Sequence, residues 1–444
     1  MDLCPGKLRR VYRTAICVKY DDPLVRIIVG ISVKQLRLGL IGAGERGANC
    51  YAPYALKYPA EAKFVCVAEP LEERRNVFAD AHGIPQEDRF TDWKELLGKN
   101  YELDGLIIAT QDRQHYGPAM AAIERGYDIL LEKPMAETLE KTQEIVRAAQ
   151  EKGTLLMVCH VLRYTPFYRA MKKVIDEGKI GDIQTIHHIE NIGYWHFAHS
   201  YVRGNWRNSS ETTPMIVAKC CHDTDIINYL LDGRKCKKIS SMGSLSYFRP
   251  ENAPEGAAER CEDCAHNKTC FYSAYRYLED RTMHKNLKPV IMRTDDNDRF
   301  LKYMLKTQYG RCVFHCDNDA ADHQAVIMEY EGGVTASWQA SAFTMETIRQ
   351  TKVMGTKGEI EGCIDDDEFE VRDFATGNIT KVHVHTPKTL HSGGDECIME
   401  TFTKALRDTE SRDLMSSAAL SLQGHEMAFA AEESRVNGGK VVEL

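Results

Sequence analysis

The run Gly42-Ala43-Gly44-Glu45-Arg46-Gly47 has the spacing of a turn that cradles phosphates. The apolar stretch Leu36 to Ile41 leads into it and a stretch of helical periodicity follows, so each glycine has its own task. Gly42 permits a tight turn, Gly44 lets backbone approach a pyrophosphate, and Gly47 lets the helix pack on the strand with its N-terminus facing the phosphates. Glu45 and Arg46 lie in the same turn and are counted with the cofactor site. Glu69 stands 22 residues after Gly47, at the end of the next apolar run, where a carboxylate can accept hydrogen bonds from a ribose diol. That charge repels a 2'-phosphate and so favours NAD over NADP, while Arg74 and Arg75, just beyond it, could tolerate one.

At the end of the fourth apolar run stands Glu132-Lys133-Pro134, and Thr110 to His115 follow the third. Here the sequence resembles the Gfo/Idh/MocA oxidoreductases, over roughly residues 35 to 440. The resemblance implies that Lys133 sits against the nicotinamide and a reacting sugar hydroxyl, beside Glu132. It also implies that the loop from Thr110 to His115 borders the cofactor, with Gln111-Asp112 where the family more usually has proline and asparagine. A lysine suits that place chemically. Taking hydride from a secondary alcohol requires its proton to leave too, so a base or strong donor must touch the oxygen. An enclosed site beside a cationic ring pushes a lysine toward its neutral form. The plainer alternative is that Lys133 pairs with Glu132 or solvent.

Lys219, His222 and Asp225 recur at three-residue steps in a stretch read as one helix, Pro214 to Leu231, which would bring them near one face. The segment looks like the family's helix motif, an aspartate followed four residues later by a histidine. His222 matches the histidine, but Ala218 occupies the aspartate's position. The resemblance therefore implies an altered division of labour among Lys133, His222 and Lys219. Asp225 as a local cap and Lys219 as an exposed side chain are the alternatives.

Tyr194 to Arg207 mixes aromatic and polar side chains, as sugar sites do, with His196, His199, Arg203, Trp206 and Arg207 as candidates. The two arginines could also fork onto a carboxylate or sulfonate. A core-packing aromatic cluster is the competing reading. Arg163 and Tyr164, the turn from Cys316 to His323, and His391 are further polar candidates. Cys261, Cys264 and Cys270 suggest zinc or an iron-sulfur group, with a fourth ligand left open among His266, Cys236 and more distant residues. Structural thiols without metal are the alternative.

These residues require a parallel sheet with crossover helices to hold them. Apolar runs at Leu36 to Ile41, Phe64 to Ala68, Leu106 to Ala109, Ile129 to Leu131 and Leu155 to Val158 alternate with helical stretches, which predicts an α/β doubly wound Rossmann domain over 35–160. Runs at Ile183 to Ile192, Cys312 to Cys316, Ala325 to Tyr330, Val334 to Ala340 and Ile348 to Met354 predict an α/β domain over 161–444 with a large, mainly antiparallel, open-faced sheet. Helices at Phe167 to Glu177, Pro214 to Leu231 and Glu396 to Asp408 would cover one face. A cysteine-bearing insertion is expected near 250–272, and residues 1–34 form an extension of unassigned role.

The chain has 444 residues, 43% hydrophobic and 27% charged, which suits a globular protein of two domains. A net charge of -8 with mixed signs argues against nucleic acid and anionic lipid, and no long apolar run spans a membrane. Fifteen cysteines without an export signal point to a cytoplasmic address. The expected activity is NAD(H)-dependent hydride transfer at a secondary hydroxyl of a sugar or sugar derivative. The alternative is a redox-neutral, NAD-dependent glycosidase acting on a glycoside by transient oxidation and elimination; a non-catalytic NAD sensor is the third reading. Homologous folds imply a homo-oligomer, dimer or tetramer, joined sheet to sheet.

Overall fold

The computed structural model describes residues 34–387, 389–408 and 415–444. The expected N-terminal extension lies, except for its last residue, outside the described residues. Two sheets organise the rest. The first holds β1 (Leu36–Ile41), β2 (Ala62–Ala68), β3 (Arg89–Phe90), β4 (Gly105–Ile108), β5 (Ile129–Leu131) and β6 (Leu156–Val158), in the order β3-β2-β1-β4-β5-β6. All pairs are parallel. The strand order reverses between β1 and β4, and open α/β sheets bind ligands at such a point. The crossover helices start and stop on local signals. For Leu139–Lys152, the Thr138 side chain caps the Lys141 N–H and Gly153 ends the helix in the left-handed region.

The second sheet holds nine strands: β7 (Ile183–Asn191), β8 (Cys236–Ser244), β9 (His323–Tyr330), β10 (Thr335–Ser341), β11 (Ile348–Gly355), β12 (Gly358–Cys363), β13 (Glu368–Asp373), β14 (Ile379–His383) and β15 (Val442–Glu443). Their order is β14-β13-β12-β11-β7-β10-β9-β8-β15. Only β7 and β10 pair in parallel; every other pair is antiparallel. One face shares a core with the helices Pro166–Asp176, Cys221–Leu230 and Ala418–Val436. The other is bare, with Met242 and Ile327 about two-thirds exposed.

Four expectations change. Cys312 to Cys316 forms turns rather than a strand. The helix expected over Pro214 to Leu231 is two, Met215–Ala218 and Cys221–Leu230, with Lys219 and Cys220 at the break. The insertion between β8 and β9 runs well past residue 272 and has a small core of its own, including Ala274, Tyr277, Phe300 and Met304. The last change concerns the domain boundary. The helix Gly394–Arg407 returns to the first sheet, where Ile398, Met399 and Phe402 share a core with Leu36, Leu38 and Phe64. The Rossmann unit therefore draws on two separate segments of chain. Among the described residues, no helix is long and apolar enough to cross a membrane.

Candidate functional site

The glycine-rich turn leaves β1 at the switch point. Gly42 has φ +93°, and a Cβ there would stand 2.5 Å from the Ala109 carbonyl oxygen. A Cβ on Gly47 would stand 2.2 Å from the Gly42 carbonyl oxygen, so the helical turn Glu45–Tyr51 can lie this close only with glycine there. A Cβ on Gly44 would meet only the Arg74 guanidinium, at 3.9 Å. Its outer side is clear for a phosphate, and the turn fits a dinucleotide. Glu69, buried at the end of β2, holds the turn with its carboxylate, accepting from the Ala43 N–H at 2.9 Å and the Leu71 N–H at 3.0 Å. Arg75 donates to the Glu69 carbonyl at 2.6 Å. Glu45 faces Arg293 of the insertion at 3.6 Å.

Arg46 departs from the sequence expectation. It turns inward, away from the phosphate side, to pair with Glu132 at 2.6 Å and Asp395 at 2.6 Å, and it also donates to the Tyr51 hydroxyl. Burial alone would raise the Glu132 carboxyl, but Arg46 and Lys133 outweigh it and hold the group below its ordinary range. The Glu132 carboxylate also caps the Lys133 N–H at 2.9 Å. Its part is to fix the loop that carries Lys133. His115 does the same from the other side, with one ring nitrogen 2.7 Å from the Pro134 carbonyl oxygen and the other 3.1 Å from that of Thr110.

Lys133 Nζ donates to the Ala218 carbonyl oxygen at 2.7 Å. This is the position where the sequence has no aspartate; the helix break there frees the carbonyl, which takes the lysine instead. His222 is buried beside it with its Nδ1 unpartnered. Burial, then Lys133, His391 and His160, push its pKa well below the ordinary histidine value, so the ring is neutral. Rings continue on either side: His391 to His222 at 5.8 Å, His222 to His160 at 5.8 Å, and His160 to His425 at 5.2 Å. His391 adopts φ +58°, a conformation unusual for a side chain of its size, and is held by Asp395 at 3.1 Å. The sequence offered no more than a flexible turn as the signal for His391.

Lys219 stands at the helix break, 3.1 Å from the Glu190 carboxylate on β7. Glu190 also meets Arg349 at 2.8 Å, and Arg349 meets Asp223 at 2.7 Å. Burial raises the Glu190 carboxyl despite its two cations, whereas Arg349 and His188 hold Asp223 down at about 2 against the same penalty. Neither Glu190 nor Arg349 has a sequence signal, because both sit in ordinary alternating strands. His196 stacks on Trp195 and is kept neutral by burial and by Lys219.

Several other candidates are tied up elsewhere. Asp225 points away from Lys219 and forms a two-pronged ion pair with Arg163 at 2.7 and 2.6 Å, in the interior. The Tyr164 hydroxyl pairs with Ser416. His199 stacks on Tyr309 and bonds the Tyr277 hydroxyl. Arg203 is buried against the insertion, and Arg207 pairs with Asp317 and Glu211. Trp206 donates to Asp112 at 3.0 Å, joining the aromatic segment to the loop after β4. The zinc expectation is corrected as well: among the described residues, no three His, Cys, Asp or Glu side chains are grouped so as to hold a metal ion. Cys261 Sγ faces Arg203 and the Ala274 N–H instead.

Known proteins match on both halves. A model of an oxidoreductase family with an NAD-binding Rossmann fold matches residues 36–160, and one for that family's C-terminal alpha/beta domain matches 172–442. The oxidoreductase YteT of Bacillus subtilis (strain 168) is 26% identical over 264 residues, 58% of this chain and 60% of that one. A 2,7-anhydro-N-acetylneuraminate hydratase of Mediterraneibacter gnavus is 26% identical over 215 residues, 48% of this chain and 54% of its own. This chain thus spans little more than half the length of these curated relatives. A levoglucosan dehydrogenase solved with NADH and levoglucosan superposes with a TM-score of 0.68 at 20% identity, covering 92% of this chain and 99% of that one. With both of its domains matched in order, the chain belongs to the Gfo/Idh/MocA oxidoreductase family, with its NAD-binding Rossmann fold.

Proposed function

We propose that this protein transfers hydride between NAD and a secondary hydroxyl of a sugar or sugar derivative, at the site where Lys133, His222 and Lys219 converge. The observation that carries the reading is Lys133 Nζ held on the Ala218 carbonyl beside a neutral, unpartnered His222 nitrogen. When bound, the nicotinamide supplies the hydride acceptor. Lys133 binds the reacting oxygen and takes its proton through the Nζ lone pair, and the Ala218 carbonyl, accepting an N–H, keeps that nitrogen oriented. The free Nδ1 of His222 meets the same or the neighbouring hydroxyl. Lys219, placed by its pairing with Glu190, holds a second hydroxyl. Relatives named for anhydro sugars support a carbohydrate substrate.

A second reading has an observation of its own. Lys219, Glu190 and His196 form a further proton-handling group beyond what hydride transfer needs, with Glu190 raised by burial. In a redox-neutral cleavage, oxidation at one sugar carbon acidifies the neighbouring C–H. A base removes that proton, the glycosidic substituent leaves, water adds, and reduction restores the first carbon. Incubating the protein with free sugars and aryl glycosides, while following NADH absorbance and released aglycone together, separates the two. Stoichiometric NADH without aglycone supports the dehydrogenase; aglycone without net NADH overturns it in favour of the second reading.

A further inference from the structure

The insertion between β8 and β9 reaches back to the glycine-rich turn at Arg293. Its guanidinium stands 3.6 Å from the Glu45 carboxylate, which also accepts from Asn49, and the Arg293 and Glu45 side chains are 50% and 38% exposed. An ion pair this wet contributes little to stability, so stability alone does not account for an arginine here. The segment that carries it is nevertheless well fixed. Ile291 and Met292 on one side pack on the insertion's small core, to which Phe300 and Met304 on the other side belong. Between them Asp296 caps the helix Asn297–Met304, accepting from the Asp298 and Arg299 N–H groups, and Lys288 donates to Asn297 at 2.7 Å.

The turn that Arg293 faces has an electrostatic problem. Gly44 is open on its outer side, where a pyrophosphate brings negative charge, and Glu45 adds more of the same sign at the next residue. Like charges so close oppose binding. From the first sheet's side Arg74 answers them, its guanidinium 3.9 Å from where a Gly44 Cβ would stand. The insertion comes to the same place twice, with Arg293 at Glu45 and with Tyr309 near Arg74. Burial raises the Tyr309 hydroxyl, and Gln308 and the Arg74 charge pull it the other way. We propose that Arg293 is a pyrophosphate-binding residue, kept at the turn by Glu45, and that the insertion forms a second wall of the cofactor site across from the glycines. This rests on a dinucleotide lying at that turn and is independent of which sugar reaction follows.

Calorimetric titration of the full chain, freed of nucleotide on charcoal, with NAD and with ADP-ribose tests the assignment. Arg293→Ala weakens both ligands by about tenfold, the worth of one charged hydrogen bond to phosphate, and the exposed position leaves the melting temperature unchanged. The same loss persists when both proteins also carry Glu45→Gln, because the arginine serves the phosphate and not the carboxylate. A loss that disappears in the Glu45→Gln background overturns the proposal, since Arg293 then acts only by cancelling Glu45. So does a loss confined to NAD, which would put the arginine at the nicotinamide half. Equal affinity of Arg293→Ala and wild type for NAD overturns this assignment alone, whereas a wild type that binds neither ligand overturns the dinucleotide reading with it.

Discussion

At Arg46 a single guanidinium answers two buried carboxylates, Glu132 and Asp395, from segments far apart in the chain. Arg46→Met would leave both charges facing each other in the interior. The expected loss is about 3 to 5 kcal/mol in urea unfolding, with a smaller loss when Asp395→Asn is added. If the proposed hydride transfer to or from a sugar hydroxyl is this protein's reaction, Lys133→Ala is expected to lower its turnover by about 10²- to 10⁴-fold, the usual worth of a positioned proton acceptor. NAD affinity, followed by fluorescence titration, should stay within a few-fold. Lys133 stood out in the sequence through the family resemblance of Glu132-Lys133-Pro134, at a strand end where a lysine has a chemical use. The sequence could not show that Arg46 turns inward or that Asp225 is held by Arg163, since both depend on partners hundreds or tens of residues away.

Among the elements, the strand-turn-helix around the glycines is tightest at Gly47. Gly47→Ala puts a methyl group against backbone, which cannot yield as a side chain would, so the helical turn must move off β1. NAD binding should weaken by about tenfold or more while the far-ultraviolet dichroism is unchanged, since the adjustment is local. The five parallel strands expected from the sequence were legible because burial on both faces writes them as unbroken apolar runs. The strands from Gly358 to His383 were not, because their exposed face carries charges such as Glu359, Glu361 and Arg372, which pair across the sheet. The break at Lys219 was hidden for another reason: nothing in Ala218-Lys219-Cys220 opposes a helix, and only the pull of Lys133 and Glu190 makes the interruption useful.

Across the whole molecule, burial holds many histidines neutral. His82 and His425 are pushed down to about 4, and His199 and His284 to about 3. Each binds a proton more weakly in the folded chain than in the unfolded one. Their contribution to stability is therefore complete above the unfolded value near 6.5, and it is lost as pH falls from there toward 3 to 4. Melting temperature should begin to fall below about pH 6.5, before ordinary carboxylates titrate. His425→Gln can keep the contacts to Met135 and Ser421, and should make that slope shallower.

The central position of β7 has a consequence for synthesis. Its two neighbours, β10 and β11, begin at Thr335 and Ile348, about 140 residues or more after β7 ends at Asn191. The hairpin of β9 and β10 and the meander from β11 to β14 can form from nearby chain, but β7 has no local partner. A nascent chain cut short anywhere between residues 200 and 330 would carry β7 with both edges open, while all six strands of the first sheet have already emerged. Ribosome-bound chains of those lengths should be the ones that chaperones hold and proteases cut, and release of that protection should coincide with the emergence of β11.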